Sequence, residues 1–157
     1  MRALAHPQVR KAQGCFWIEG IRNFVQACDA KLTFDIAIHS RVLLKSDLAE
    51  MLVRRLAARG VARVRVSPEQ FRSISTTSRA SGIGAIVRQH WLPLERARPG
   101  QGLCWIVIEE IRSPGNLGTI LRTAEACGAA GIIFVGPSCD PFDPAVVRAS
   151  MGGIFHL

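Results

Sequence analysis

The residues with the most chemistry to offer lie in one stretch, Glu109 to Gly128, which reads EEIRSPGNLGTILRTAEACG. It follows the apolar run Leu103 to Ile108, and in α/β proteins the loop past the carboxyl end of a strand is where ligands collect. Gly115 and Gly118 would let backbone approach a ligand closely. A helix opening at Gly115-Asn116 would aim unpaired N–H groups outward, a setting suited to a phosphate. Asn116 stands at the mouth of that helix. Leu117, Ile120, Leu121 and Ala124 form its apolar stripe, so Arg122, about 100° round from Leu121, leaves from the flank. A guanidinium there offers a planar fork of donors that fits a phosphodiester. Taken alone, the same residues suit an ordinary capped turn followed by a solvated arginine better than they suit a ligand site.

Composition frames these residues without deciding among their uses. The chain has 157 residues, 48% of them hydrophobic, enough for the core of one domain or two small ones. Twenty Lys and Arg against 12 Asp and Glu give a net charge of +8 and an isoelectric point near 10.3, the footprint of a protein that meets a polyanion. Excess arginine also accompanies GC-rich genomes, so charge alone decides little. Cys15, Cys28, Cys104, Cys127 and Cys139 form no CxxC pair and sit in or beside apolar runs, where free thiols act as small hydrophobes. A reducing cytoplasm is the expectation. No window approaches the ~18 apolar residues of a membrane span, and Met1 to Lys11 lacks the apolar middle of a signal peptide. His6, His39, His90 and His156 are scattered, so no metal site is expected.

The elements that would position the segment alternate along the chain. After a polar lead, Cys15 to Ile18 reads as a short buried strand, followed by a helix whose Ile21, Phe24, Val25 and Cys28 recur at i, i+3, i+4 and i+7. Phe34 to His39 is a second strand. Ser46 and Asp47 then cap a helix with Leu48, Met51, Leu52 and Leu56 on one face and Gly60 at its end. Val61 to Val66 alternates as a strand with one wet basic edge, and Ser67-Pro68-Glu69-Gln70 is a capping box for a short helix through Phe71 and Ile74. Ser75 to Ser81 is a loop rich in Ser, Thr and Arg, and Ile83 to Val87 is a further strand. Residues 1–92 thus form a small α/β domain. Arg63, Arg65, Arg72, Arg79 and Arg88 are its candidate nucleic-acid contacts, chosen from wet strand edges and the loop, although each equally suits a solvated face.

Prolines, glycines and charges in 93–102 mark a linker. In 103–157 the Leu103 to Ile108 strand, the Asn116 helix, a buried strand at Ile132 to Val135, a helix capped by Asp143-Pro144 and a strand from Ile154 to Leu157 follow. This alternation predicts a parallel sheet covered by helices. A three-stranded layer ending on an apolar strand has an unpaired edge, and about 55 residues fall short of the usual ~100 to 200, so the second domain is expected to be incomplete.

Four stretches together resemble one family. Pro114, Asn116, Gly118, Arg122, Thr123, Ala124, Glu125, Ala126 and Gly128 match motif 1 of the SpoU (TrmH-like) RNA ribose 2′-O-methyltransferases of the SPOUT superfamily, with Gly115 where many members have His. Val147 to Phe155, VRASMGGIF, resembles motif 2, with Gly153 in place of the common Ala. Phe16-Trp17-Ile18-Glu19-Gly20 and Gly82-Ile83-Gly84-Ala85-Ile86 resemble the family's substrate-binding domain. The later Gly-Glu-x-x-Gly motif 3 has no counterpart up to Leu157; in the family, it and the final helix tie a trefoil knot and hold most S-adenosylmethionine contacts.

The resemblance implies an α/β chain. A ribosomal-protein-like RNA substrate-binding domain would occupy 1–92, a linker 93–102, and the amino-terminal part of a parallel-sheet, trefoil-knot methyltransferase domain 103–157. It implies methyl transfer from S-adenosylmethionine to a ribose 2′-hydroxyl, of ribosomal RNA by analogy with members that carry such a front domain, in a cytoplasmic homodimer without a metal. Arg122 would stabilise the developing alkoxide and hold the neighbouring phosphodiester. Asn116 would orient the ribose or hold the loop, and cofactor contacts would lie mostly beyond Leu157. The other expectations are a non-enzymatic RNA-binding protein or an inactive fragment lacking the cofactor site. An oxidoreductase resting on Gly82-x-Gly84 is disfavoured, because the third glycine and a following helical stripe are missing.

Overall fold

The computed structural model describes residues 1–157 and divides into two compact units, Met1–Arg88 and Gln89–Leu157. The first does not begin with an unstructured lead. A 3-10 turn over Arg2–Ala5 runs into α1 (Pro7–Gln13), with proline at its start and Gly14 in the left-handed conformation at its end. Arg10 holds this pair together. Its guanidinium, 1% exposed, donates to the carbonyls of Leu4 and Ala5 at 2.7 and 2.9 Å, so its buried charge is satisfied by the backbone of the turn before it.

Then follow β1 (Cys15–Glu19), α2 (Ile21–Asp29), β2 (Phe34–His39), α3 (Asp47–Ala58), β3 (Ala62–Arg65), α4 (Pro68–Ile74) and β4 (Ile83–Arg88). The strands form one mixed sheet in the order β1-β4-β2-β3, with β4 antiparallel to β1 and β2, and β3 parallel to β2. The last strand is therefore central, and Ile83, Ala85 and Val87 are fully buried. Gly84 leaves the space that the Trp17 ring occupies against its backbone. Ser67 and Gln70 make the expected reciprocal capping box at α4, which presents Phe71 to the core.

Two expectations fail here. Helix α3 buries Ala49, Leu52 and Val53, and leaves Leu48 and Met51 half exposed. Ala49, Leu52, Val53 and Leu56 follow the i, i+3, i+4, i+7 spacing, whereas Leu48, Met51, Leu52 and Leu56 run i, i+3, i+4, i+8, and the helix turns the former set inward. Strand β3 is exposed at all four residues, Val64 included, because it pairs with one neighbour at the sheet's edge. Arg63 and Arg65 lie opposite Ala37 and His39 of β2. His39 is 6% exposed; burial, then Arg63, Arg41 and Arg65, push its pKa below the ordinary range, with Glu50 acting against them.

The second unit contains β5 (Trp105–Ile108), α5 (Pro114–Ala126), β6 (Gly131–Phe134) and α6 (Pro144–Ser150). Strands β5 and β6 are parallel, with Trp105 opposite Gly131 and Ile108 opposite Phe134. The expected third strand is instead a 3-10 turn, Gly153–Phe155. Met151 and Gly152, both left-handed, reverse the chain directly after α6, and Phe155 turns into the core. Cys104 and Cys127 are exposed, unlike the buried Cys15, so the description of all five thiols as small hydrophobes does not hold. No helix is long and apolar enough to cross a membrane.

Helices α5 and α6 meet through residues without bulk. A Cβ on Gly118 would lie 2.9 Å from the backbone of Ala149 and Ser150. Gly118 is therefore buried in a helix contact and does not serve ligand approach. Gly118→Ala is expected to destabilise this unit by roughly 1–3 kcal/mol, read from urea unfolding followed by tryptophan fluorescence in a Trp17→Phe background. His39 gives a second test. Because its folded-state pKa is lowered, its contribution to stability is intact above about 6.5 and is lost as pH falls from there through the lower folded value. His39→Asn should flatten the fall in stability between about pH 7 and about pH 5, and an unchanged profile would count against this assignment.

Candidate active site

The loop after β5 is fixed at both ends. Val135 N–H donates to the Ile108 carbonyl at 3.0 Å and Cys139 N–H to that of Ile111 at 2.7 Å, while Ile111 and Ser138 extend the parallel pairing by one bridge. Gly136 packs on the Glu109 carbonyl with no room for a side chain. Within the loop, Arg112 Nε meets Glu110 at 2.6 Å, an exposed pair that neutralises one of the two carboxylates beside the helix. Ser113 then caps α5 by accepting from Asn116 N–H at 3.4 Å, and Pro114 takes the first helical position. The helix thus opens one residue earlier than the glycine suggests.

Leu117, Gly118, Leu121 and Ala124 are the buried face of α5, and Arg122 lies outside it, exposed. Its Nη1 lies 3.3 Å from the sulfur of Met151. A thioether is a weak acceptor and no counter-ion, so this contact orients the guanidinium without neutralising it. The Met151–Gly152–Gly153 turn is held against the helix because a Cβ on Gly153 would fall 3.0 Å from Arg122 Cα. Motif 1 and motif 2 residues thereby form one surface. Asn116, also exposed, stands six residues before Arg122, which on a helix is roughly 9 Å of rise and about 120° of rotation away. The two proposed catalytic side chains share the helix but not a contact.

The five arginines of the front unit have different settings. Arg63 and Arg65 extend from the exposed edge strand, and Arg79 is exposed in the loop before β4. Arg72 is exposed and lies 3.8 Å from Glu69, one turn earlier. Arg88 is committed to the protein: its Nε donates to Asp35 at 2.8 Å and its Nη1 to the Gln13 carbonyl at 3.2 Å. Met151, as the neighbour of Arg122, was not foreseen. The Gly152-Gly153 pair marks a turn in the sequence, but a contact across 29 residues has no local signature.

The second unit also holds an apolar cavity of about 340 Å³, walled by Trp91, Leu94, Trp105, Ile133, Phe142 and Leu157 among others. Trp91 and Phe142 meet edge to face across 5.2 Å. Both indole N–H groups in the wall are used, Trp91 to Gln89 and Trp105 to the Arg98 carbonyl, which leaves His90 as the polar side chain of the lining. No group of three or more His, Cys, Asp or Glu is placed to hold a metal.

Comparison with known proteins gives two family matches in series. Residues 1–85 match the MRM3-like substrate binding domain, and residues 104–157 match the SpoU rRNA Methylase family. An uncharacterized tRNA/rRNA methyltransferase of Synechocystis is 32% identical across 100% of the chain, which covers 56% of that protein. The 23S rRNA (uridine(2479)-2′-O)-methyltransferase of Streptomyces viridochromogenes is 26% identical over 98% of the chain and 53% of its own length. The crystal structure of an AdoMet-bound rRNA methyltransferase from Sinorhizobium meliloti superposes with a TM-score of 0.88 at 31% identity, over 99% of this chain and 57% of that one. The chain thus spans somewhat more than half the length of these relatives. It belongs to the SpoU rRNA methylase family, with an MRM3-like substrate-binding domain preceding SpoU methylase sequence.

Proposed function

We propose that the protein transfers a methyl group from S-adenosylmethionine to a ribose 2′-hydroxyl of ribosomal RNA, acting as a cytoplasmic homodimer. The observation that carries this reading is the exposed Arg122 guanidinium, oriented by a thioether beside the Met151–Gly153 turn. A ribose hydroxyl is a very weak acid, so attack on a methyl group requires a site that favours the developing alkoxide. A fixed positive charge with a planar fork of donors does this while holding the adjoining phosphodiester. Asn116, which can donate and accept, orients the ribose or the approaching strand from the start of the same helix. The 2′-hydroxyl is also the group that distinguishes RNA from DNA.

The residues present do not fit the methyl donor by themselves. S-adenosylmethionine carries an amino-acid end, a ribose diol and an adenine, whereas the cavity of the second unit is walled by aliphatic and aromatic side chains with His90 as its free polar group. The roles assigned to Arg122 and Asn116 are therefore toward RNA. In the front domain Arg63, Arg65 and Arg79 are placed to meet phosphates, Arg72 does so at the expense of its exposed contact with Glu69, and Arg88 contributes least because Asp35 holds it.

Arg122→Ala, in the protein at its native length, should lower tritium transfer from S-adenosylmethionine to ribosomal RNA by about 10²- to 10³-fold, and wild-type turnover would remove Arg122 from the mechanism. Reversal of Arg63 and Arg65 to Glu should weaken RNA retention on filters and reduce its dependence on salt by about two phosphate contacts. An unchanged salt slope would reject that pair.

A further inference from the structure

Glu19 ends β1 at the rim where the carboxyl ends of β1, β2 and β3 meet the start of β4. Its carboxylate reaches 56 to 58 residues along the chain to the Ser/Thr-rich loop. Oε1 accepts from Ser75 Oγ and from Thr77 Oγ1 at 3.2 Å, and Oε2 accepts from Thr76 N–H at 2.8 Å and from Thr76 Oγ1 at 3.1 Å. A carboxylate has about four acceptor sites, so this group is filled from one side by one segment. The loop is further tied within itself, Thr77 N–H donating to Ser75 Oγ and Thr77 Oγ1 lying 3.1 Å from the Arg79 carbonyl.

What this arrangement leaves outward is basic. Ser78 and Arg79 follow the clamped residues and are exposed. Gly82, left-handed at φ 77, closes the loop with no room for a side chain against Leu43 and Leu44, and its carbonyl accepts from Ser40 N–H at 2.9 Å. The segment carrying the exposed Arg41 and Lys45 therefore lies alongside the one carrying Arg79. Arg65, also exposed, ends β3 at the same rim. A carboxylate standing free among these cations would repel an RNA phosphate; Glu19 is instead partly buried and engaged by the hydroxyls and N–H of the loop. Nearby Asp47 and Glu69 belong to the first turns of α3 and α4.

We propose that Glu19 is a positioning residue for RNA binding: by saturating its carboxylate with Ser75, Thr76 and Thr77 it holds the 75–79 loop so that Arg79, with Arg41 and Lys45 beside it, meets RNA phosphates. This rests on the RNA reading above and adds Arg41 and Lys45 to the interface. Glutamine at 19 keeps the shape but replaces one acceptor oxygen by an NH2: facing Thr76 N–H it opposes a donor, and facing the hydroxyls it makes them accept instead of donate, so the charged clamp on the loop is lost without removing a cation.

The test is filter binding of in-vitro-transcribed 23S ribosomal RNA by the 157-residue chain across a salt series. Arg79→Ala should weaken binding and reduce the salt slope by about one contact. Glu19→Gln should weaken binding about tenfold at low salt, and the double variant should bind no more weakly than the worse single one, since both remove the same contact. Wild-type affinity in Glu19→Gln, or additive losses, would overturn the proposal. No retention of RNA by the wild-type chain would instead overturn the RNA reading on which it stands. Circular dichroism checks folding. If Glu19→Gln unfolds, Ser75→Ala/Thr77→Val withdraws two donors from the loop side and must give the same loss of affinity and the same non-additivity with Arg79→Ala, or the proposal fails.

Discussion

The close contact between α5 and α6 is the constraint on which the candidate site depends. Gly118 gives up its side chain so that Ala149 and Ser150 can approach, and Gly153 does the same beneath Leu121 and Arg122. Without these two absences the Met151 turn would stand away from α5, and the guanidinium would lose its sulfur neighbour. Dispersion contacts fall off steeply with separation, so a gap of less than an ångström already forfeits much of the attraction between the helices. The left-handed Met151 and Gly152 are part of the same device, because a chain that continued outward after α6 could not return to cover the helix flank.

The front unit solves a different problem with the same economy of local signals. Its last strand lies at the middle of the sheet, so the fold closes only when β4 is inserted between β1 and β2. The loop that precedes β4 is tied to β1 by the Glu19 carboxylate and to the segment after β2 by Gly82. The central strand is thus aligned from both neighbours at its first residues. Burial of Ile83, Ala85 and Val87 follows from this central place, and Gly84 accommodates Trp17 across the strand.

Much of this was legible in the sequence wherever a signal is local. Apolar runs gave β1, β2, β4, β5 and β6, the capping box gave α4, and Asp143-Pro144 gave the start of α6. Family motifs pointed to Arg122 and Asn116, and the structure places both on the exposed surface of α5. What escaped depends on contacts between distant residues. The buried face of α3 was ambiguous because two overlapping sets of apolar residues each fall along a helical face, and only packing chose Ala49 and Val53 over Leu48 and Met51. Ile154 to Leu157 is apolar enough for a strand, yet the left-handed residues before it turn it inward as a 3-10 turn. The role of Gly118 was misread for a related reason: a glycine near a helix start suits a ligand or a neighbouring helix equally, until the neighbour is known. Arg88 resembled the other arginines until Asp35, 53 residues away, was seen beside it.

Strand β3 has one further consequence. Its outer edge offers unpaired backbone N–H and C=O groups, and Val64 there is 42% exposed, which together would invite a second sheet to add itself. Arg63 and Arg65 on either side of Val64 oppose such stacking, because two copies brought edge to edge would juxtapose like charges. The same pair thus guards the solubility of the chain. Exchanging them for valine would create a sticky ribbon, whereas acidic replacements would keep the molecules apart.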